Sequence, residues 1–188
     1  MIIKVTTQGI TPIIINKFTD AAAIKATEGN SSILKGDNGS PRDQCELKLH
    51  KGLKGQCIIP GPNVFSCIIA AGVFHKAGKT KMTTQKSSLI PSCLSIQEIE
   101  IDIVSKDSWC VDTRPVRNPA TGGRFLCHRP IFNDWELTFH IELYQSFMSE
   151  KLCRQLIDDA GKRMGLGDFR PSRKGPYGKF VVKHWSVV

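Results

Sequence analysis

Trp135-Glu-Leu-Thr-Phe-His-Ile-Glu-Leu-Tyr144 alternates apolar with polar residues, and Trp135, Leu137, Phe139, Ile141 and Leu143 fall on one side. A period of two over this length marks a half-buried strand. Ser149, a good N-cap residue, then opens a helix in which Leu152, Leu156, Ala160 and Met164 recur every fourth residue, with Cys153, Ile157 and Gly161 beside them. Beyond a glycine-rich stretch, Lys179 to Val188 reads as a final strand. Strand, amphipathic helix and strand in this order make one half of a split β-α-β arrangement.

Working outward, Ile2 to Thr7 alternates as a first strand, and Ile10 to Asn16 is expected to continue it past Gly9. Ala21 to Ala26 reads as a short helix, Glu28 to Asp43 as a turn-rich loop, and Cys45 to Leu53 alternates weakly. Ile58-Ile-Pro-Gly-Pro-Asn63 leads into a helix over Val64 to His75, with Pro62 near its first turn and Gly78 just past its end. Lys76 to Lys86 is expected to be an exposed loop. Ile96 to Val104 alternates and predicts a further half-buried strand, and Val111 to Phe125 reads as a long hairpin or loop. The expected fold class is α+β: a ferredoxin-like (RRM-like) split β-α-β core in one domain, 1–188, carrying insertions at 27–45, 76–94 and 110–130.

With 188 residues, 40% hydrophobic and 23% charged, the chain suits a folded domain and not a disordered tail. The longest uncharged stretch, Gly55 to Phe74, is interrupted by Pro60, Gly61, Pro62 and Asn63, and what remains is shorter than the ~20 residues a membrane helix needs. No membrane contact is expected. Met1-Ile-Ile-Lys-Val-Thr-Thr lacks the pattern of a secretory signal, so a cytoplasmic setting is expected. Seven cysteines, at 45, 57, 67, 93, 110, 127 and 153, include no Cys-x-x-Cys pair. Free buried thiols are expected, with neither a disulfide framework nor a metal site, and no cofactor motif is present.

Charge is unevenly placed. The chain has 26 Lys+Arg against 17 Asp+Glu, for +9. From Lys48 to Lys86 there are seven Lys and no carboxylate, and from Lys162 to His184 seven Lys+Arg face only Asp168. Arginine forks grip phosphate, and such clustering is the footprint of a partner with a phosphate backbone.

The most specific feature is Gly165-Leu-Gly-Asp-Phe-Arg-Pro-Ser-Arg-Lys-Gly-Pro-Tyr-Gly-Lys179. Gly165, Gly167, Gly175 and Gly178 permit positive φ and let backbone N–H groups gather as an anion nest. Arg170, Arg173, Lys174 and Lys179 supply charge, and Phe169 and Tyr177 offer rings on which bases can stack. The glycines follow a helix and lack Gly-Lys-Ser/Thr, which excludes a Walker loop and a Rossmann fingerprint.

This loop, between a helix ending in Ala-Gly and a last strand, resembles the glycine-rich loop of the RAMP superfamily, which includes backbone subunits of CRISPR effector complexes. Ile59-Pro-Gly-Pro-Asn-Val-Phe65 is similar to the superfamily's Ile-Pro-Gly-Ser-Ser-Leu helix start. Val111-Asp-Thr-Arg-Pro-Val-Arg117, Arg129-Pro-Ile-Phe-Asn-Asp-Trp135 and the loop also resemble a family of phage and prophage proteins of this type. The matching pieces cover about half the chain, chiefly 57–72 and 111–184. The resemblance implies an RRM-like domain with RNA lying across it. Candidate contacts are then the loop residues above together with Arg114, Arg117 and Arg129.

Expected partners are single-stranded RNA, preferred, or DNA, with homo-oligomers along the strand or CRISPR-type effector subunits beside it. The expected protein binds without catalysing. Two alternatives follow from the same resemblance. The first is a metal-independent endoribonuclease using His50 or His75, with Lys48, Lys51 or Lys76 nearby, or a loop carboxylate, Asp37 or Asp43. The second is a phage-encoded mimic that binds host effector subunits.

Overall fold

A computed structural model describes residues 1–19, 39–117 and 122–188. The expected helix at Ala21 to Ala26, Asp37, and most of the 27–45 insertion lie outside these residues, as does the tip of the 110–130 hairpin. The described chain is α+β.

Its principal sheet is antiparallel, with four strands in the order β11-β1-β10-β6: β1 Ile2–Gly9, β6 Leu94–Ile96, β10 Glu136–Leu143 and β11 Phe180–Val187. The expected face of β10 is buried throughout, from Trp135 to Leu143. These side chains meet Ile3 and Val5 of β1 and the apolar faces of two helices, α2 (Gly61–Ala71) and α3 (Glu150–Asp159), in one core. Ser149 caps α3 as expected, its hydroxyl accepting from Leu152 N–H at 3.3 Å. A wider helical turn, Ala160–Met164, extends α3 to the glycine loop. The opposite face of the sheet is polar, with Lys4, Thr6, Thr138 and His140, and Thr6 bonds Thr138 at 3.0 Å. In β11 an extra residue, Lys183, bulges out where the β1 pairing shifts between Thr6 and Thr7.

Three expectations about local structure fail, each for a physical reason. Residues 10–16 do not continue β1. Gly9 passes so close under Trp135 that a Cβ would lie 2.2 Å from the indole Nε1, and the chain turns there. The indole N–H donates to Thr11 O at 2.8 Å. β2 (Ile13–Ile14) then joins a second sheet, β2-β9-β8, with β8 Cys110–Arg117 and β9 Arg124–Phe132.

The weak alternation of Cys45 to Leu53 does not make a strand either; beyond a single bridge from Lys51 to Cys57, its first residues are helical. Ser40 and Asp43 form a reciprocal cap, and α1 (Pro41–Leu47) follows, burying Cys45. Ile96 to Val104 is not one strand: β6 stops at Ile96, and β7 (Glu100–Asp102) pairs instead with β3 (Ile58–Pro60). Ile99, which alternation places on the buried side with Ile101, is 80% exposed between them. The basic 76–86 stretch is exposed up to Lys81 as a small hairpin, β4 (Lys76–Ala77) and β5 (Thr80–Lys81), but Met82 and Thr83 are buried.

Candidate nucleic-acid interface

The glycine loop is a compact knot. Leu166 N–H donates to Gly178 O at 2.9 Å, Gly178 N–H to Pro12 O at 2.8 Å and Asp168 N–H to Ile14 O at 2.7 Å. Gly165 N–H donates to Ala160 O, and Gly175 N–H to Arg170 O. Most of the donors expected to form an anion nest are therefore used inside the fold. The glycines serve close approach: a Cβ on Gly175 would sit 1.7 Å from Phe169 O, and one on Gly178 would sit 1.8 Å from Leu166 O. A Cβ on Gly167 would sit 2.4 Å from Ile14 O.

What the knot presents outward is side chains. Arg173 and Lys174 are exposed, with Lys174 at a left-handed φ of 62°. Phe169 and Tyr177 pack as a tilted pair with centroids 6.1 Å apart, and Arg114 of β8 stacks over Tyr177 at 5.0 Å. Arg114 is fixed by Asp112, Nε to Oδ1 at 2.7 Å, and that hydrogen bond is the main cause holding its pKa above the ordinary arginine value. Arg117 and Arg124 are exposed farther along the same hairpin, and Lys179 is half-buried with its N–H on Thr11 Oγ1 at 2.9 Å. The structure thus brings Arg114 from the hairpin to the loop's aromatic pair.

Arg129 is placed differently from the expectation. It is 6% exposed, and its guanidinium is shared between Asp168 Oδ2 at 2.9 Å and Asp112 Oδ2 at 3.2 Å. It ties the hairpin to the loop from within. The sheet's polar face carries no Phe, Tyr or Trp from the four strands, so it lacks the rings of an RRM stacking platform.

Between α2 and the loop lies an open cleft of about 280 Å³. Asn63, Ser66, Cys67 and Ala70 form one wall, Gly165 to Asp168 with Arg170 the other, and Ile15, Ile59 and His50 close it. Cys67 seals the back, its thiol donating to Gly165 O at 3.2 Å and Ala160 O at 3.4 Å; burial pushes its pKa up to about 12. Arg170 is half-buried, with Nη1 on Gly167 O at 2.8 Å. Asn63 and Ser66 went unrecognised in the sequence; their spacing of three, one helical turn after Pro60-Gly61-Pro62, is the signal that could have found them.

The nuclease candidates separate. His50 lines the cleft, and burial, with a smaller contribution from Lys17, pushes its pKa below that of a free imidazole. His75 is held elsewhere, Nε2 to Asp159 Oδ2 at 2.9 Å. Asp43 is spent on the α1 cap, accepting from Ser40 Oγ at 2.7 Å, which with the Ser40 N–H lowers its pKa. Lys48 Nζ donates to His128 O, and Lys51 pairs with Glu46 at 2.9 Å. Among the described residues no cluster of three or more His, Cys, Asp or Glu is arranged to hold a metal, and no helix is long and apolar enough to cross a membrane.

No family model matches the chain, and neither does any curated protein. Among solved structures, it is similar to a chain in the cryo-EM structure of a Type III-B Cmr-beta complex bound to cognate target RNA, with a TM-score of 0.54 at 13% identity. The match covers all of this chain and 60% of the other. The likeness is one of fold.

Proposed function

We propose that the protein binds the backbone of single-stranded nucleic acid, RNA in preference to DNA, through the glycine loop and the cleft beside it, and does not cut it. One observation carries this reading: the loop that forms one wall of the cleft also presents exposed Arg173 and Lys174 and a Phe169–Tyr177 pair with Arg114 stacked on it. The Cmr-beta structure similar to this chain is bound to target RNA, which supports the same assignment.

The core on which the site sits reads as ferredoxin-like and RAMP-type. Helices α2 and α3 follow β1 and β10, and the order β11-β1-β10-β6 is the one such a split β-α-β sheet takes. Segments 76–94 and 110–130 are then insertions on a single domain, and side-by-side assembly on a strand, or a place among effector subunits, is consistent with them.

Fluorescence anisotropy of labelled 20-mers of RNA and DNA across a salt series tests the reading. Tighter RNA binding that weakens with salt is expected, and no binding of either strand at 50 mM salt refutes it.

His50 in the cleft favours endonuclease activity as the second reading. A denaturing gel of labelled RNA, with and without divalent metal, separates the two. Intact RNA is expected; defined cuts that vanish in His50→Ala would replace the binding reading with the nuclease one.

A further inference from the structure

The cleft and the outer side of the loop differ in chemistry. Arg173 and Lys174 are exposed and do not line the cleft. Inside it, among the described residues, the one carboxylate, Asp168, is paired, and the one guanidinium, Arg170, is held by the backbone. Asp168 accepts from Arg129 at 2.9 Å and from Asn16 Nδ2 at 3.1 Å, and Arg170 donates to a backbone carbonyl. Burial favours the neutral form of both the Cys67 thiol and the His50 imidazole. Ile15, Ile59, Ala70, Met164 and Leu166 supply apolar surface. A phosphate brought here would meet the Asp168 carboxylate beside Arg170, whereas a flat neutral body with polar edges would meet aliphatic patches and the neutral donors and acceptors of Asn63 and Ser66.

Such a body is a nucleobase. We infer that the cleft receives one base turned out of the bound strand, adenine best, read on its edge by Asn63 and Ser66. An asparagine amide presents one donor and one acceptor side by side, the complement of adenine's N6 and N7, and a serine hydroxyl serves as either. Single-stranded RNA is commonly read in this way, with unstacked bases splayed into pockets. The volume of about 280 Å³ limits the site to a single nucleotide unit. The inference rests on the RNA-binding reading: phosphates would lie along Arg173 and Lys174 of the loop while one base enters the cleft.

The probes are uridine-rich RNA 20-mers in which every fourth position is adenine, cytosine or an abasic ribose, titrated against the intact chain at constant salt. Adenine strands should bind about tenfold tighter than cytosine or abasic ones, the size of one edge-read pair. Asn63→Leu and Ser66→Ala, both at exposed helix positions, should bring the adenine-to-cytosine ratio toward one with circular dichroism unchanged. Tyr177→Ala should weaken all three strands and keep the ratio, because stacking on a ring is indifferent to base identity. Equal binding of the three strands by the wild type, or a ratio that survives both cleft variants, overturns the base pocket and leaves the backbone reading standing. Failure of every strand to bind overturns both.

Discussion

Arg129 on β9 and Asp168 in the glycine loop are joined by a 2.9 Å hydrogen bond across 39 positions of sequence, and the same guanidinium holds Asp112 on β8 at 3.2 Å. The hairpin that carries Arg114 and the loop that carries Tyr177 are thereby one body. Arg129 Nε is buried without a partner, so the guanidinium's placement is set by its two carboxylates.

Arg129→Met should therefore unfold more easily. It leaves Asp112 with Arg114 as its remaining cation, and losing hydrogen bonds between charged, buried groups costs about 1.5–3 kcal/mol. Urea denaturation measures this. The salt dependence of binding should stay at the wild-type slope, since the residue contacts no phosphate in the proposed interface.

Arg173→Ala with Lys174→Ala should lower the slope of log affinity against log salt by about 1.4, at ~0.7 counterions per neutralised phosphate on a single strand. Arg170 is left out of this variant because its Nη1 is bonded to Gly167 O, so its loss would also loosen the loop. Affinity should fall equally for unrelated sequences, and thermal stability should be retained. An unchanged slope would place the phosphate path on Arg117 and Arg124.

Gly178→Ala tests the knot itself. The new Cβ would lie 1.8 Å from Leu166 O at a φ of +70°, so both contact and conformation are unfavourable. A loss of about 2–4 kcal/mol in stability is expected, with binding of all strands reduced together.

His50 makes stability depend on pH. Its folded pKa lies below the unfolded value of about 6.5, so the unfolded chain binds the proton more tightly and stability falls as pH drops below that value. Between pH 7 and pH 5 the denaturation midpoint should fall less steeply in His50→Gln than in the wild type. Parallel curves would show that other groups set the acid limit.

Much of the sheet and the α3 helix was legible because their information is local. Trp135 to Leu143 keeps one period on one sheet, and Ser149 with Leu152, Leu156 and Ala160 keeps another on one helix. Ile96 to Val104 misled because its alternation spans two sheets; Ile96 and Ile99 are three apart, an odd spacing that marks the slip in phase. The cleft was illegible because Asn63 and Arg170 belong to segments with nothing in common but their meeting place. Arg129 looked like a surface cation in a basic region. Its tell was the company of two carboxylates, Asp112 and Asp168, each isolated among cations, which is how an internal ion pair looks in one dimension.

The bulge at Lys183 bears on how the molecule keeps to itself. β11 is an outer strand of the principal sheet, eight residues long, and a straight strand of that length would be a template for another chain's backbone. The extra residue twists the ladder, and Lys183 and His184 place polar groups there. On the far side β6 offers only three residues. Both margins of the sheet are thus poor seeds for β-aggregation.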